Sequence, residues 1–235
     1  MTKTLFTIDG GNTNLSVGIH SDDDKLIVLS FEEFLKEYEN QSLLVELPVI
    51  YSSVKNYPEI NQTLFPNLKA VPEFNGKEYL GMPVHYSKTI GIDRLIGSLY
   101  CFREILNKDQ DKLALIDAGT FITVDFISAK GLEGGFIFPG LELLRNTYSA
   151  GEQLHIPERK PSAKALEIPH STEEAIHAAY SALVQAIVDC VGKKKVVLTG
   201  GNSKDLEHLF EDVHVDKNLM HNALRCVLNY EKSLG

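Results

Sequence analysis

The chain opens on two apolar runs, Leu5 to Asp9 and Leu15 to His20, joined by Gly10-Gly11-Asn12-Thr13-Asn14. Glycine and asparagine tolerate the positive φ that tight turns demand, so the pattern predicts a β-hairpin. A third strand is expected near Leu26 to Leu29, after the polar Asp22-Asp23-Asp24 run. A short helix over Phe31 to Tyr38 and a buried strand from Pro48 to Ser52 follow. Prolines at 58, 66 and 72 interrupt every period between Asn56 and Met82, and the pattern assigns no element there. A helical period returns over Ile92 to Asn107, with Leu95, Ile96, Leu99 and Leu106 on one face.

The second half repeats the opening. A strand over Leu113 to Asp117 runs into Ala118-Gly119-Thr120 and then a strand from Phe121 to Ile127. Gly134 to Gly140 reads as a short strand and Glu142 to Ser149 as a helix. A long helix is expected from Glu173 to Val191, with Ile176, Ala179, Leu183 and Ile187 in register. Val196 to Leu198 forms a strand that ends in Thr199-Gly200-Gly201, Ser203 caps a helix reaching Phe210, and a last helix covers Leu219 to Leu228. Ile8-Asp9-Gly10-Gly11-Asn12 and Ile116-Asp117-Ala118-Gly119-Thr120 are one device used twice, each at the head of a half. The reading is two similar α/β domains, 1–112 and 113–235.

Composition narrows the class. In 235 residues, 43% are hydrophobic and 23% charged, which is ordinary for a globular protein and excludes a disordered or fibrous one. A net charge of −9 argues against a nucleic-acid binder, which needs a basic footprint to displace counterions. The dense basic run, Lys193 to Lys195, reads as a solvated loop. Cys101, Cys190 and Cys226 are far apart and each lies in an apolar stretch, so buried thiols and a reducing cytoplasm are expected. No secretory signal stands at the N-terminus, and no segment approaches the length of a membrane span.

The paired turns carry the candidate chemistry. A glycine turn lets backbone N–H groups approach phosphate oxygens, and Asn12, Thr13 and Thr120 add side-chain donors. An Asp at a strand end can hold Mg²⁺, usually through water. A plain hairpin with an Asx turn would look the same for either turn alone. Thr199-Gly200-Gly201-Asn202, between a buried strand and a helix, suits a nucleobase or ribose seat, since backbone without side chains can approach a ligand closely. No Gly-x-x-x-x-Gly-Lys-Ser/Thr occurs, which disfavours a P-loop kinase.

Taken in order, Asp9-Gly10-Gly11-Asn12-Thr13, Ser52-Ser53-Val54, Gly91-Ile92-Asp93-Arg94 and Asp117-Ala118-Gly119-Thr120 through Thr123 and Asp125 form a recognisable set. Gly134-Gly135 with Pro139-Gly140 and Thr199-Gly200-Gly201 complete it. The set resembles the actin-like ATPase superfamily and, more narrowly, the type III pantothenate kinases. The resemblance implies two ribonuclease-H-like domains, each a mixed β-sheet flanked by helices. It implies transfer of the γ-phosphoryl group of ATP to the primary hydroxyl of pantothenate, the first step towards coenzyme A.

By the same resemblance Asp93 is the general base, with Gly91, Arg94 and Tyr86 in the pantothenate pocket; a helix-start ion pair is the plainer reading of Asp93 and Arg94. Asp9, Gly11, Asn12 and Thr13 hold the ATP phosphates, Asp9 also facing Mg²⁺, and Gly119, Thr120, Gly200 and Gly201 complete the ATP site. Asp125 matches the acid that ligates a monovalent cation, K⁺ or NH₄⁺. The family acts as a homodimer in which a threonine of the partner's helix reaches pantothenate, and Thr172 is the match here, with a helix N-cap as its plainer role. This chain departs from the family pattern in Tyr86-Ser87-Lys88-Thr89 where an Asn-Pro is usual, in Ser171 for Asn, in Ala178, Ala179 and Ser181 for glycines, and in Phe121 for a small residue. Two other readings stay open: a non-catalytic nucleotide- or pantothenate-binding regulator, and a superfamily kinase for another hydroxyl such as a sugar's.

Overall fold

A computed structural model describes residues 2–38, 42–107, 112–148, 151 and 168–234. The chain divides into two compact units. Unit one comprises Met1–Ile105, Lys130–Leu132 and Asn218–Gly235, and unit two Leu106–Ala129 and Glu133–Lys217. The sequence reading, with a single cut near residue 112, would assign the C-terminal helix to the second half; its contacts are with the first.

Unit one is built on a five-stranded mixed sheet. Its strands are β1 (Lys3–Gly10), β2 (Leu15–Ser21), β3 (Leu26–Ser30), β4 (Val49–Ser53) and β5 (Leu68–Ala70), with helices α1 (Phe31–Tyr38) and α2 (Leu43–Glu46) between β3 and β4. The order across the sheet is β3-β2-β1-β4-β5; β1, β2 and β3 run antiparallel, and β4 and β5 lie parallel to β1. A two-stranded ribbon, β6 (Glu78–Tyr79) and β7 (Met82–Pro83), precedes helix α3 (Ile92–Tyr100). The helical period read to Asn107 continues past α3 only as a π-helical turn, Cys101–Ile105.

Strand β1 is buried on both faces, and period-two alternation sorts its side chains. Phe6 and Ile8 join Val17, Ile19, Phe34, Tyr38 and Phe65 in one core. There Phe6 meets Phe34 edge-on at 5.2 Å and Phe34 stacks on Tyr38 at 5.0 Å. Thr7 points to the other face, where helix α3 and the C-terminal helix (Leu219–Leu234) pack.

That face holds a buried polar knot. Thr7 Oγ1 lies 3.1 Å from His20 Nε2 and 2.9 Å from His221 Nδ1, and His221 Nε2 lies 3.0 Å from Ser16 Oγ. Gly18 makes room for it, since a Cβ there would come 2.7 Å from His221 Nδ1. Burial, aided by the Arg225 charge, pushes His20 down to about 4, and burial with the His20 imidazole beside it does the same to His221. The unfolded chain protonates these rings near pH 6.5 and the folded one only near 4, so acid draws the equilibrium towards unfolding. Stability is therefore full above about pH 6.5 and falls through the window down to about 4 as the coupled imidazoles take up protons. Urea denaturation at pH 7.5, 6 and 5 should show this loss, and His221→Gln should flatten it.

Unit two repeats the sheet. Its strands are β8 (Lys112–Ala118), β9 (Phe121–Ser128), β10 (Gly131–Pro139), β11 (Lys195–Thr199) and β12 (Val213–Val215), in the order β10-β9-β8-β11-β12. That order matches unit one's strand for strand, with β8 in the place of β1, which is the architectural form of the repeated Asp-x-Gly turn. Helix α4 (Leu141–Tyr148) matches the expected helix up to its end, Ser149 lying outside the described residues.

Helix α5 (Thr172–Val191) packs on one face of this sheet through Tyr180, Val184, Ile187 and Val191, and Ile176 is buried one turn before them. The expected stripe through Ala179 and Leu183 is thus rotated by about one position; Ala179 is exposed and Leu183 half-buried. Lys194 is no loosely solvated charge: its Nζ donates to the Val191 carbonyl at the C-terminus of α5 at 2.8 Å, where the helix dipole favours a cation. After β11 come a single helical turn α6 (Ser203–Leu206) and a 3₁₀ turn, Glu207–Leu209. Asn202, not Ser203, occupies the N-cap position of α6, and Ser203 is buried in its first turn. Of the three thiols only Cys101 is fully buried. Among the described residues no helix is long and apolar enough to cross a membrane.

Candidate active site

Asp9 is the last residue but one of strand β1, and its register partners are Ser16 on β2 and Ser52 on β4. The turn beyond it closes when the Gly11 N–H donates to the Asn14 carbonyl at 2.9 Å, leaving Asn12 and Thr13 exposed at the tip. Gly10 is glycine for want of space: a Cβ would come 2.9 Å from both Ser53 Cβ and a Tyr57 ring carbon. Four of the predicted phosphate ligands, Asp9, Gly11, Asn12 and Thr13, thus occupy one turn on a rigid sheet.

A second group forms at the start of α3. Gly91 is the N-cap, in an extended conformation, and Asp93 lies in the first helical turn, where the dipole favours a carboxylate. Its Oδ1 accepts from the Arg94 N–H at 2.9 Å and sits where a Cβ on Gly91 would stand. Arg94 is 94% buried, and its guanidinium lies 4.9 Å from the Tyr86 ring centroid, with Nη1 3.4 Å from the phenol oxygen. Gly91, Asp93, Arg94 and Tyr86 are brought together, although the run from Tyr86 to Thr89 departs from the expected loop. A half-buried carboxylate can accept a hydroxyl proton, and a buried guanidinium with a phenol can hold a polar acceptor molecule.

In unit two, Asp117 is the last residue but one of β8, opposite Thr123 on β9 and Thr199 on β11. Its turn is tied from two sides. Gly140 N–H donates to the Thr120 carbonyl at 3.0 Å, and Asn202 N–H to the Ala118 carbonyl at 2.9 Å. Gly200, at φ +89°, presses onto the same turn: a Cβ there would come 2.6 Å from the Ala118 carbonyl carbon and overlap Asp117 Oδ1. Gly201, one residue on, has open space around it. Gly119, Thr120 and Gly200 therefore converge, while Gly201 borders them.

Asp125 stands opposite Leu115, two rungs deeper than Asp117 on the same face of the β8–β9 pair, and is fully buried. Thr172 is the first residue of α5 and is exposed. The N-cap role falls to its neighbour: Ser171 Oγ accepts from the Glu174 N–H at 3.2 Å, and the Glu174 carboxylate accepts from the His170 N–H at 3.0 Å. That contact to the His170 amide holds the Glu174 carboxyl below its usual range.

The sequence model of the type III pantothenate kinases matches residues 5–194, which spans both turns, the Gly-x-Asp-Arg segment and helix α5. The chain belongs to this family. A type III pantothenate kinase of Campylobacter jejuni is 28% identical over 237 aligned residues, covering 98% of this chain and 99% of the relative. Among solved structures, a C. jejuni protein assigned to the Baf family of transcriptional activators superposes with a TM-score of 0.68 at 22% identity, over 97% of this chain and 99% of that one. A Sinorhizobium meliloti protein assigned as a 2-dehydro-3-deoxygalactonokinase gives 0.55 at 10% identity, over 96% and 98%. Both structural likenesses speak to the fold alone, and both agree with the doubled mixed sheet.

For a type III pantothenate kinase, sequence reasoning missed the residues that brace the first turn. Tyr57 donates to the Gly11 carbonyl at 2.6 Å and Lys55 Nζ to the Asn12 carbonyl at 2.9 Å. It also missed His221, which reaches Ser16 from the far end of the chain. No motif marks these residues; their only signal is position, just after the Ser52-Ser53-Val54 segment for the first two.

Proposed function

We propose that this chain transfers the γ-phosphoryl group of ATP to the primary hydroxyl of pantothenate, with Asp93 as the base that takes the hydroxyl proton. The observation that carries the reading is the group at the start of α3. Arg94, buried against Tyr86, offers a cation for the pantothenate carboxylate, and the Asp93 carboxylate stands one residue away. Asp9, Gly11, Asn12 and Thr13 on the first turn, and Gly119, Thr120, Gly200 and Gly201 on the second, are the proposed ATP ligands. Transfer of this kind passes through a loose transition state, so positioning and charge neutralisation do most of the work.

Mg²⁺ would be held by Asp9 together with water and phosphate oxygens, and would neutralise charge building on the transferred group. The donor set fits such an ion: Asp9, near the end of β1, supplies a hard carboxylate oxygen, and Mg²⁺ commonly makes do with one or two carboxylates while keeping several waters. Asp125, fully buried on β9, is the proposed ligand of a monovalent cation, K⁺ or NH₄⁺. We also propose a homodimer in which Thr172 reaches the partner's pantothenate. Ser171 takes the capping role, which supports giving the Thr172 hydroxyl another use.

Purified protein given pantothenate, ATP, Mg²⁺ and K⁺ should release ADP and form a product heavier by one phosphoryl group. Folded protein that makes no pantothenate-dependent ADP above background would sink the proposal.

A further inference from the structure

The segment that leaves β4 folds back over the first phosphate turn and takes up its carbonyl oxygens. Val54 N–H donates to the Gly10 carbonyl at 3.0 Å, and Ser53 Oγ reaches the same oxygen at 3.3 Å. Tyr57 Oη donates to the Gly11 carbonyl at 2.6 Å and lies 3.5 Å from that of Asn14, while Lys55 Nζ donates to the Asn12 carbonyl at 2.9 Å. A trans peptide unit carries its C=O and N–H on opposite sides. Tying the carbonyls of Gly10, Gly11 and Asn12 to residues 53–57 therefore turns the N–H groups of Gly11, Asn12 and Thr13 the other way. Of these, the Gly11 N–H closes the turn on Asn14, and those of Asn12 and Thr13 are at the exposed tip.

Lys55 stands apart from the other members of this brace. Its side chain is exposed, and its ammonium lies 4.8 Å from the centroid of the Tyr57 ring, which steadies a cation electrostatically. An ammonium has three donors, and the Asn12 carbonyl accounts for one of them. The result is a positive charge held at the tip of a phosphate-binding turn by a carbonyl bond and an aromatic face, on a four-carbon stem long enough to shift by a few ångströms.

We propose that Lys55 is a ligand of the nucleotide's terminal phosphates, and that Tyr57 positions it and the turn. The inference rests on ATP being the phosphoryl donor, as proposed above. Lys55 supplies a point charge where the incoming triphosphate is most negative, and Tyr57 keeps the turn's amides aimed at the same oxygens.

Binding of ATP, ADP and AMP, measured by calorimetry without acceptor, separates this role from a structural one. Lys55→Met should weaken ATP roughly ten- to a hundredfold, the range that a hydrogen bond between charged groups commands, with a smaller loss for ADP and none for AMP. Lys55→Arg should recover part of the loss. Tyr57→Phe should weaken ATP while lowering the thermal midpoint by no more than about 5 °C, because the ring stays and only the hydroxyl's bonds to the Gly11 and Asn14 carbonyls are removed. Under turnover, Lys55→Met should raise the KM for ATP and leave that for pantothenate within about twofold. Equal weakening of ATP and AMP, or no weakening of ATP, overturns the proposal. Wild-type protein that binds ATP but leaves pantothenate untouched would sink the kinase reading while the binding series still decides Lys55; wild-type protein that binds no ATP sinks both.

Discussion

Asp93→Asn is expected to lower kcat for pantothenate phosphorylation by about a hundred- to ten-thousandfold, the contribution typical of a positioned general base, while ATP affinity stays within about twofold. The substitution is close to isosteric. Asparagine keeps an oxygen to accept from the Arg94 N–H, the bond that holds Asp93 Oδ1 at 2.9 Å, and it fits the space that Gly91 leaves by lacking a Cβ. What it removes is the capacity to take a proton. A structural role would give the opposite result, with turnover near that of the parent and a lowered thermal midpoint. Steady-state kinetics, a nucleotide titration and a melting curve on the same preparation distinguish the two. A kcat within a few-fold of the parent would remove Asp93 from the mechanism.

Gly200→Ala should be among the most damaging small substitutions in unit two, and Gly201→Ala a quiet one. At Gly200 the backbone φ is +89°, outside the region L-residues favour, and a methyl group would press on Ala118 backbone atoms at 2.6 and 2.7 Å. Backbone cannot swing aside as a side-chain tip does, so the turn carrying Asp117, Gly119 and Thr120 must shift. A cost of roughly 2–4 kcal/mol follows from the forced backbone conformation and the overlap together, which lowers the melting temperature by about 5–15 °C. ATP affinity should fall with it.

Gly201 meets nothing within 4 Å of an added Cβ, so its alanine variant should melt within about 2 °C of the parent. Any loss of ATP affinity there would then report a ligand approaching the bare backbone. The sequence names both glycines as one seat; the structure separates a glycine required by the protein from one that only a ligand could require.

Much of the architecture was legible before any coordinates. Strand periodicity and the repeated Asp-x-Gly turn pointed to two similar α/β domains, the family resemblance implied a mixed sheet in each, and the two sheets share one strand order. Local chemistry is enough for this, because a turn's need for glycine and a strand's period of two are properties of a few consecutive residues. The segment from Asn56 to Met82 was opaque because β5, β6 and β7 are two or three residues long, too short to show a period. Helix α5 shows the limit differently. Ala179 and Tyr180 stand three and four residues after Ile176, so stripes through either satisfy the same helical spacing. The sheet surface selects the second, where a tyrosine ring and Val184 bury far more apolar area than Ala179 could.

The sequence by itself determined most of the longer elements, the two turns and the family to which the chain belongs. Tertiary structure decided what those turns lean on. Thr7 and Ser16 meet His221 across more than two hundred residues of chain, the C-terminal helix belongs with the first unit, and Lys55 and Tyr57 hold the first turn's carbonyls. None of these pairings carries a local signature. Each arises because strands distant in sequence become neighbours in a sheet and helices pack where an apolar face is left, and spacing along the chain holds no record of that.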